Sequence, residues 1–272
     1  VADDPLVSDL VAALTPDRVR TGALELGLYG RDASVLEGMP GVVCFPLTTA
    51  EVQACVRAAN RHGRAIVPRG SGTGLAGGAV PLAELAPVVI VTTKMDRVLE
   101  IDVEERVAWV EPGLLNLDLS RAVAHLGLHF APDPSSQQSC SVGGNVATNS
   151  GGPHCLLYGV TTAHVLAIEV VLPDGSVTVL GGLDPDPPGY DLRGAFVGSE
   201  GTMGIATRIA VRLTPIPAAV RTLLADFTSV DDAAATVSGI IAAGIIPAAL
   251  EMMDAEITRA VEAYVHAGFP ED

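Results

Sequence analysis

The chain has 272 residues, enough for one large domain or two smaller ones, and 49% of them are hydrophobic, enough for a substantial core. Its formal net charge is −16. That surplus of acid disfavours nucleic acids and anionic membranes as partners, because both call for basic patches.

The four cysteines, Cys44, Cys55, Cys140 and Cys155, show no C-x-x-C spacing. Neither a disulfide framework nor a zinc site is indicated, and Cys44 and Cys55 read as core residues of a strand and a helix. The start, Val1-Ala2-Asp3-Asp4-Pro5, lacks the basic and apolar regions of a signal peptide. The longest apolar stretch, Gly239 to Leu250, is too short to span a bilayer and is broken by Pro247. A cytoplasmic chain is expected.

In chain order, residues 1–35 suggest a helix from Leu6 to Leu14 and a loop. Val42 to Phe45 reads as a buried strand. Thr48 with Glu51 predicts a capping box that opens a helix running to about Arg61, with Gly63 placed to end it. Ala65-Ile66-Val67 predicts a second strand, so residues 42–67 are expected to form a βαβ-type unit. A glycine loop stands at its carboxyl end, where ligands often bind. Strands near 88–92, 98–102 and 107–111 follow, then a helix from Asn116 to Leu126 stopped by Gly127. Val165 to Leu172 and Val177 to Leu180 flank the turn Pro173-Asp174-Gly175-Ser176. Over 205–213, Ile205, Thr207, Ile209, Val211 and Leu213 alternate on one strand face, with Arg208 and Arg212 on the other. Pro215 and Pro217 mark an expected boundary. Beyond it, strands at Leu223–Phe227 and Ala248–Met252 are expected to alternate with a helix capped by Ser229 and Asp232 and a last helix from Ala255. This βαβα piece reads as half of an α+β domain, as though the chain were truncated.

The glycine loop is Pro68-Arg69-Gly70-Ser71-Gly72-Thr73-Gly74-Leu75-Ala76-Gly77-Gly78-Ala79. Glycines let backbone N–H groups approach a ligand closely, and successive N–H groups make a concave anion site. A pyrophosphate-bearing cofactor is the first ligand class to fit. Gly72, Gly74 and Gly77 spell G-x-G-x-x-G, but that motif identifies a nicotinamide site only between a strand and a helix. Val88 follows too soon, past Pro81 and Pro87, to leave room for that helix, so the dinucleotide fold is rejected.

Two further small-residue segments accompany the loop: Ser139 to Gly152, preceded by Pro132-Asp133-Pro134-Ser135-Ser136, and Gly198-Ser199-Glu200-Gly201-Thr202-Met203-Gly204-Ile205. Their spacing suits three loops lining one extended, flat, polar ligand. In this order they resemble the FAD-binding domain of the vanillyl-alcohol oxidase/PCMH superfamily. The stretch Asn149-Ser150-Gly151-Gly152-Pro153-His154-Cys155 with Tyr158-Gly159-Val160-Thr161 is most similar to the glycolate oxidase and D-lactate (D-2-hydroxyacid) dehydrogenase branch.

The resemblance implies an α+β chain: a PCMH-type two-subdomain FAD-binding fold over 36–215, then the first part of a ferredoxin-like cap over 216–272. It implies that Pro68, Arg69, Gly70, Ser71, Gly72, Thr73, Gly74, Gly78 and Ala79 cradle the FAD pyrophosphate. Pro132, Ser139, Gly143, Gly144, Asn145 and Ala147 would face the flavin and ribityl chain, and Asn149, Gly151, Gly152, Tyr158 and Gly159 would continue that wall. Glu200, Gly204 and Ile205 would close the adenine or ribityl side. Some superfamily members attach FAD through a histidine in the first loop; residues 68–79 contain none, so a non-covalent cofactor is expected. His154 reads either as a proton carrier or as a loop-fixing hydrogen bonder. Cys155 reads as a packed thiol, with a linkage or redox role as the alternative.

The implied reaction is oxidation of a D-2-hydroxy acid, such as glycolate or D-lactate, to the 2-oxo acid. An electron-acceptor protein or iron–sulfur protein is the implied partner, with membrane association only through it. A non-catalytic flavin-binding subunit, or an oxidase of another alcohol or aldonolactone, is the alternative. The resemblance places the substrate-binding arginine or lysine, the base and any metal in a later cap segment, so no metal is assigned here. Self-association through an exposed strand edge and apolar surface is also expected.

Overall fold

The computed structural model describes residues 4–184 and 188–269; Val1, Ala2 and Asp3 of the acidic start and the last three residues of the expected cap lie outside them. Of the described residues, those up to Gly152 and from Val160 to Ile216 form one compact unit. Pro153–Gly159 and the residues from Pro217 onward form a second.

The first unit begins with α1 (Pro5–Ala13), whose Asp4 cap accepts the Leu6 N–H at 3.0 Å. Leu6 and Leu10 are fully buried in a cluster shared with Val52, Cys55 and Val56 of α3 (Thr49–Arg61). Between these helices lie β1 (Val19–Arg20), α2 (Ala23–Leu28) and β2 (Val42–Cys44). Gly63, at φ +60°, turns the chain out of α3 into β3 (Ile66–Arg69). The wholly buried β4 (Val88–Val91) follows.

The strand order is β1-β2-β4-β3, with β2 and β3 each parallel to β4. The expected βαβ unit forms, with β2 and β3 parallel in one sheet on either side of α3 in the chain, and the four buried side chains of β4 take the central place between the two strands. The glycine loop therefore leaves an edge strand. It crosses to β4 with only a single turn of 3-10 helix, Ala83–Leu85, on the way.

The capping box is half formed. Thr48 Oγ1 accepts the Glu51 N–H at 3.2 Å, but the Glu51 carboxylate turns to the Leu47 N–H at 2.7 Å and to Arg18 at 2.9 Å. A charged partner outcompetes the reciprocal backbone bond. Cys44 and Cys55 are both core residues, their sulfurs 3.7 Å apart.

A second, antiparallel sheet has the order β5-β6-β10-β8-β9, from β5 (Val98–Asp102), β6 (Val107–Val110), β8 (Val165–Val171), β9 (Val177–Gly181) and β10 (Ile205–Arg212). A two-stranded ladder joins β7 (Leu128–His129) to β11 (Thr214–Pro215). Ile209, Val211 and Leu213 are buried with Phe130, Val142 and Ile168, while Arg208 and Arg212 are exposed. The register against β8 slips between Ala206 and Arg208 and again between Ala210 and Val211, and Ala210 is buried in a separate cluster with Val107 and Ala167. α4 (Asn116–Val123) ends in a 3-10 turn and Gly127 at φ +72°. The short helices α5 (Val142–Thr148) and α7 (Leu192–Phe196) complete the unit.

The second unit holds α6 (Cys155–Tyr158), α8 (Val230–Ala242) and α9 (Ala255–Val265). Ser229 caps α8 by accepting the Asp232 N–H at 3.1 Å. The strands expected at Leu223–Phe227 and Ala248–Met252 do not form. Neither run has a ladder partner among the described residues, and an apolar run holds an extended form only when its N–H and C=O groups are paired. Leu223, Leu224, Ile245 and Ile246 are exposed. Among the described residues no helix is long and apolar enough to cross a membrane.

Candidate functional site: a glycine-walled cleft

A cleft of about 510 Å³ opens in the first unit beside the carboxyl end of β3. The first expected segment lines it at Pro68, Arg69, Gly70, Ser71, Gly72, Thr73, Gly74, Gly78 and Ala79. The second contributes Gly143, Gly144, Asn145 and Ala147, and the third Glu200, Gly204 and Ile205. Segments more than a hundred residues apart in sequence thus share one wall.

Other expected residues lie elsewhere. Ser139 is exposed and turns back on Ser136, its N–H bonded to that carbonyl at 2.8 Å. Pro132 is buried behind the cleft, and its carbonyl accepts from Asn116 Nδ2 at 2.9 Å. Asn149 takes a left-handed conformation (φ +46°) as the C-cap of α5, and its Oδ1 accepts the Thr162 N–H at 2.9 Å. Gly151 is exposed, and Gly152 packs so closely on Asp133 that a Cβ would lie 2.1 Å from its carbonyl oxygen. These residues shape the loop behind the wall. The cleft is built wholly from the first unit, whereas His154, Tyr158 and Gly159 belong to the second, in and beside α6.

The donors in the cleft are backbone groups. From Gly70 to Ala76 no N–H has an acceptor among the described residues, and the Ser71 and Thr73 hydroxyls are equally unengaged. The buried Ser199 Oγ also has no partner. The first turn of α5 differs, because its N–H groups are spent inside the protein. Val142 N–H goes to the Leu114 carbonyl at 2.8 Å, Gly143 to Pro112 at 2.7 Å and Gly144 to Ser141 Oγ at 3.2 Å. The open N–H groups of the cleft therefore lie in the glycine loop.

Arg69, Asp32 and Glu200 are the charged residues lining the cleft. Arg69 is only 8% exposed; Nη1 donates to the Ala79 carbonyl at 3.2 Å, and the guanidinium stands 5.6 Å over the Tyr29 ring. Burial pushes it below its ordinary pKa, while Asp32 and Tyr29 act in the opposite sense. Gly72 lies against this guanidinium at φ +74°, and a Cβ there would fall 2.1 Å from Arg69 Nη2. Glu200, also left-handed (φ +51°), gives its N–H to the Ala147 carbonyl at 2.8 Å and sets its carboxylate against Gly78. It is the bridge between the first and third segments.

Sequence reasoning missed Asp32, Thr92, Pro112, Phe196 and Ala206 as lining residues, along with Asn116 behind them. Asp32 had a legible signal, an acid in the turn-forming run Asp32-Ala33-Ser34. Asn116 had none, since a polar residue opening a helix reads as an ordinary terminus. The donor set fits a pyrophosphate: a run of open N–H groups, hydroxyls and one buried cation, with apolar walls beyond.

A glycine loop with open N–H groups at a strand end defines the class of binders of a pyrophosphate-bearing cofactor. A model of the FAD binding domain matches residues 40–181, and a model of the FAD linked oxidases, C-terminal domain, matches residues 216–272. The chain belongs to the FAD binding domain family of FAD-linked oxidases. It is 47% identical over 233 residues to the glycolate oxidase subunit GlcD of Escherichia coli (strain K12), covering 86% of this chain and 46% of the relative. It is 36% identical over 242 residues to the D-lactate dehydrogenase of Anaerostipes hadrus, covering 89% and 49%. The solved structure of p-cresol methylhydroxylase superposes with a TM-score of 0.73 at 23% identity, over 86% of this chain and 48% of that one. The fold is thus the PCMH type. The chain spans about half the length of these relatives.

Proposed function

We propose that this chain is the flavin-carrying part of an oxidoreductase that converts a D-2-hydroxy acid, such as glycolate or D-lactate, to the 2-oxo acid. The observation that carries the reading is the run of open N–H groups from Gly70 to Ala76 in a chain 47% identical to a glycolate oxidase subunit. The N–H groups bind the FAD pyrophosphate, Arg69 offsets its charge from behind the loop, and Asn145, Gly143 and Gly144 give a flat floor for the ring system. The segments 68–79 and 198–205 carry no histidine, and the cofactor is held without a covalent bond. When bound, FAD supplies the two-electron acceptor for the substrate's α-carbon; the protein supplies orientation and exclusion of water.

Among the described residues Arg69 is the one basic side chain lining the cleft, and it is committed to Ala79 and Tyr29. A substrate carboxylate needs its own planar cation, so that group lies outside these lining residues. The alternative reading is a flavin-binding subunit whose electrons and substrate are handled with a partner such as an iron–sulfur protein, in the cytoplasm or held at a membrane by that partner. The exposed Leu223, Leu224, Ile245 and Ile246 support self-association of the chain.

The test is anaerobic addition of D-lactate, L-lactate and glycolate to the flavin-loaded protein. Bleaching of the flavin band by D-lactate or glycolate but not by L-lactate supports the first reading. A loaded protein that none of them bleaches supports the second.

A further inference from the structure

The segment just ahead of the family match braces the glycine loop. The Ala33 N–H donates to the Gly74 carbonyl at 3.0 Å, and the Gly77 N–H donates to Asp32 Oδ2 at 3.0 Å. Leu36 stands so close to Gly77 that a Cβ there would lie 2.5 Å from its Cδ1. Residues 32–36 thus touch the loop at its middle and its far end. They lie before residue 40, where the FAD binding domain match begins.

An acid beside a phosphate site is at first sight misplaced. Its oxygens, however, are turned to the protein: Oδ1 accepts the Ser34 N–H at 2.8 Å and Oδ2 the Gly77 N–H. Burial works against the ionised carboxyl, but the bonds from Ser34 and Gly77 and the nearby Arg69 charge hold it below the usual carboxylate range. Asp32 takes one N–H out of the loop, and the Gly77 carbonyl in turn accepts the Val80 N–H at 3.0 Å, closing the turn. On the other side Arg69 fastens the Ala79 carbonyl. The N–H groups from Gly70 to Ala76 stay open between two fixed ends.

Resting on the FAD reading above, we infer that Asp32 is a positioning residue for the cofactor: by anchoring Gly77 it holds the glycine loop in the form that receives a pyrophosphate. A loop that must order on binding loses affinity by the fraction of time it is misformed, so a prefixed loop binds tighter.

Asp32→Ala and Asp32→Asn decide it with two readouts. In the cofactor-free protein, hydrogen exchange of the bonded Gly77 and Val80 N–H groups is expected to quicken about tenfold in Asp32→Ala, as loss of one charge-assisted bond implies, with exchange over residues 88–91 unchanged. FAD affinity by titration is expected to fall about tenfold or more in Asp32→Ala and to recover to within about threefold of the parent in Asp32→Asn, which keeps an acceptor oxygen. Parent-like exchange and parent-like FAD affinity in Asp32→Ala would overturn the inference. So would equally weakened FAD binding in both variants together with faster exchange at 88–91, which marks a general loss of stability. If the parent itself takes up no FAD, the functional reading fails, while the exchange comparison still decides whether Asp32 fixes the loop.

Discussion

Asn116 Nδ2 donates to Asn145 Oδ1 at 2.8 Å, linking the first residue of α4 to the floor of the cleft. Asn116 is fully buried and Asn145 2% exposed, and Asn145 Nδ2 continues to Cys140 Sγ at 3.3 Å. The chain of amides fixes the face that Asn145 turns to the cleft. Asn116→Ala strips donors from Asn145 Oδ1 and from the Pro132 carbonyl, and is expected to destabilise the protein by about 2 kcal/mol. A double-mutant cycle with Asn145→Ala, read by chemical denaturation, should show a coupling of about 1 kcal/mol; additive effects would contradict the link.

Gly72 and Gly74 should respond differently to the same added methyl. Gly72→Ala combines positive φ with a clash against the buried Arg69 guanidinium, and should cost about 1–3 kcal/mol along with FAD affinity. A Cβ on Gly74 meets nothing within 4 Å, so Gly74→Ala should hold stability to within about 0.5 kcal/mol. Paired thermal melts check this, and equal losses would be the contrary result.

Acid should release the Arg18–Glu51 anchor. Burial alone would raise the Glu51 pKa, but Arg18 and the Leu47 N–H hold it below its ordinary value of 4.5. A depressed carboxylate stabilises the fold fully above its unfolded pKa, and that contribution is lost as pH falls through the folded value. Stability should therefore drop below about pH 4.5 in the parent, and less steeply in Glu51→Gln. Denaturant midpoints measured between pH 3 and 7, on the order of one unit apart, follow it; parallel curves would refute the anchor.

The proposed reading has backbone N–H groups rather than surface lysines meet the pyrophosphate, so FAD affinity should change by less than about threefold between low and high salt. Titrations across ionic strength check it. A steep salt dependence would point to exposed cations that the cleft lining does not contain.

Much of the cleft was legible in the sequence because its parts are local: a strand end, then small residues that let the backbone come forward. Gly72, Gly144 and Glu200 reach one wall from three separate segments. What was not legible depends on partners far away in the chain. Asn149 looks like a cofactor contact, yet its Oδ1 accepts the Thr162 N–H; Asp32 looks like a loop acid, yet it fastens Gly77. The strand order was not legible either, since nothing in Val42–Cys44 or Ile66–Arg69 says that Val88–Val91 comes between them. The runs at 223–227 and 248–252 hold Asp226 and Glu251 among leucines and alanines and no β-branched residue, a weak strand signal, and no segment pairs with them among the described residues.

The most direct test of the account is the visible spectrum of the purified chain loaded with FAD, taken before and after acid precipitation. A flavin band that passes entirely into the supernatant is the predicted result, and it establishes both the cofactor and its non-covalent hold. Colour remaining in the pellet would contradict the non-covalent attachment, and a colourless protein that takes up no added FAD would contradict the cleft's role altogether.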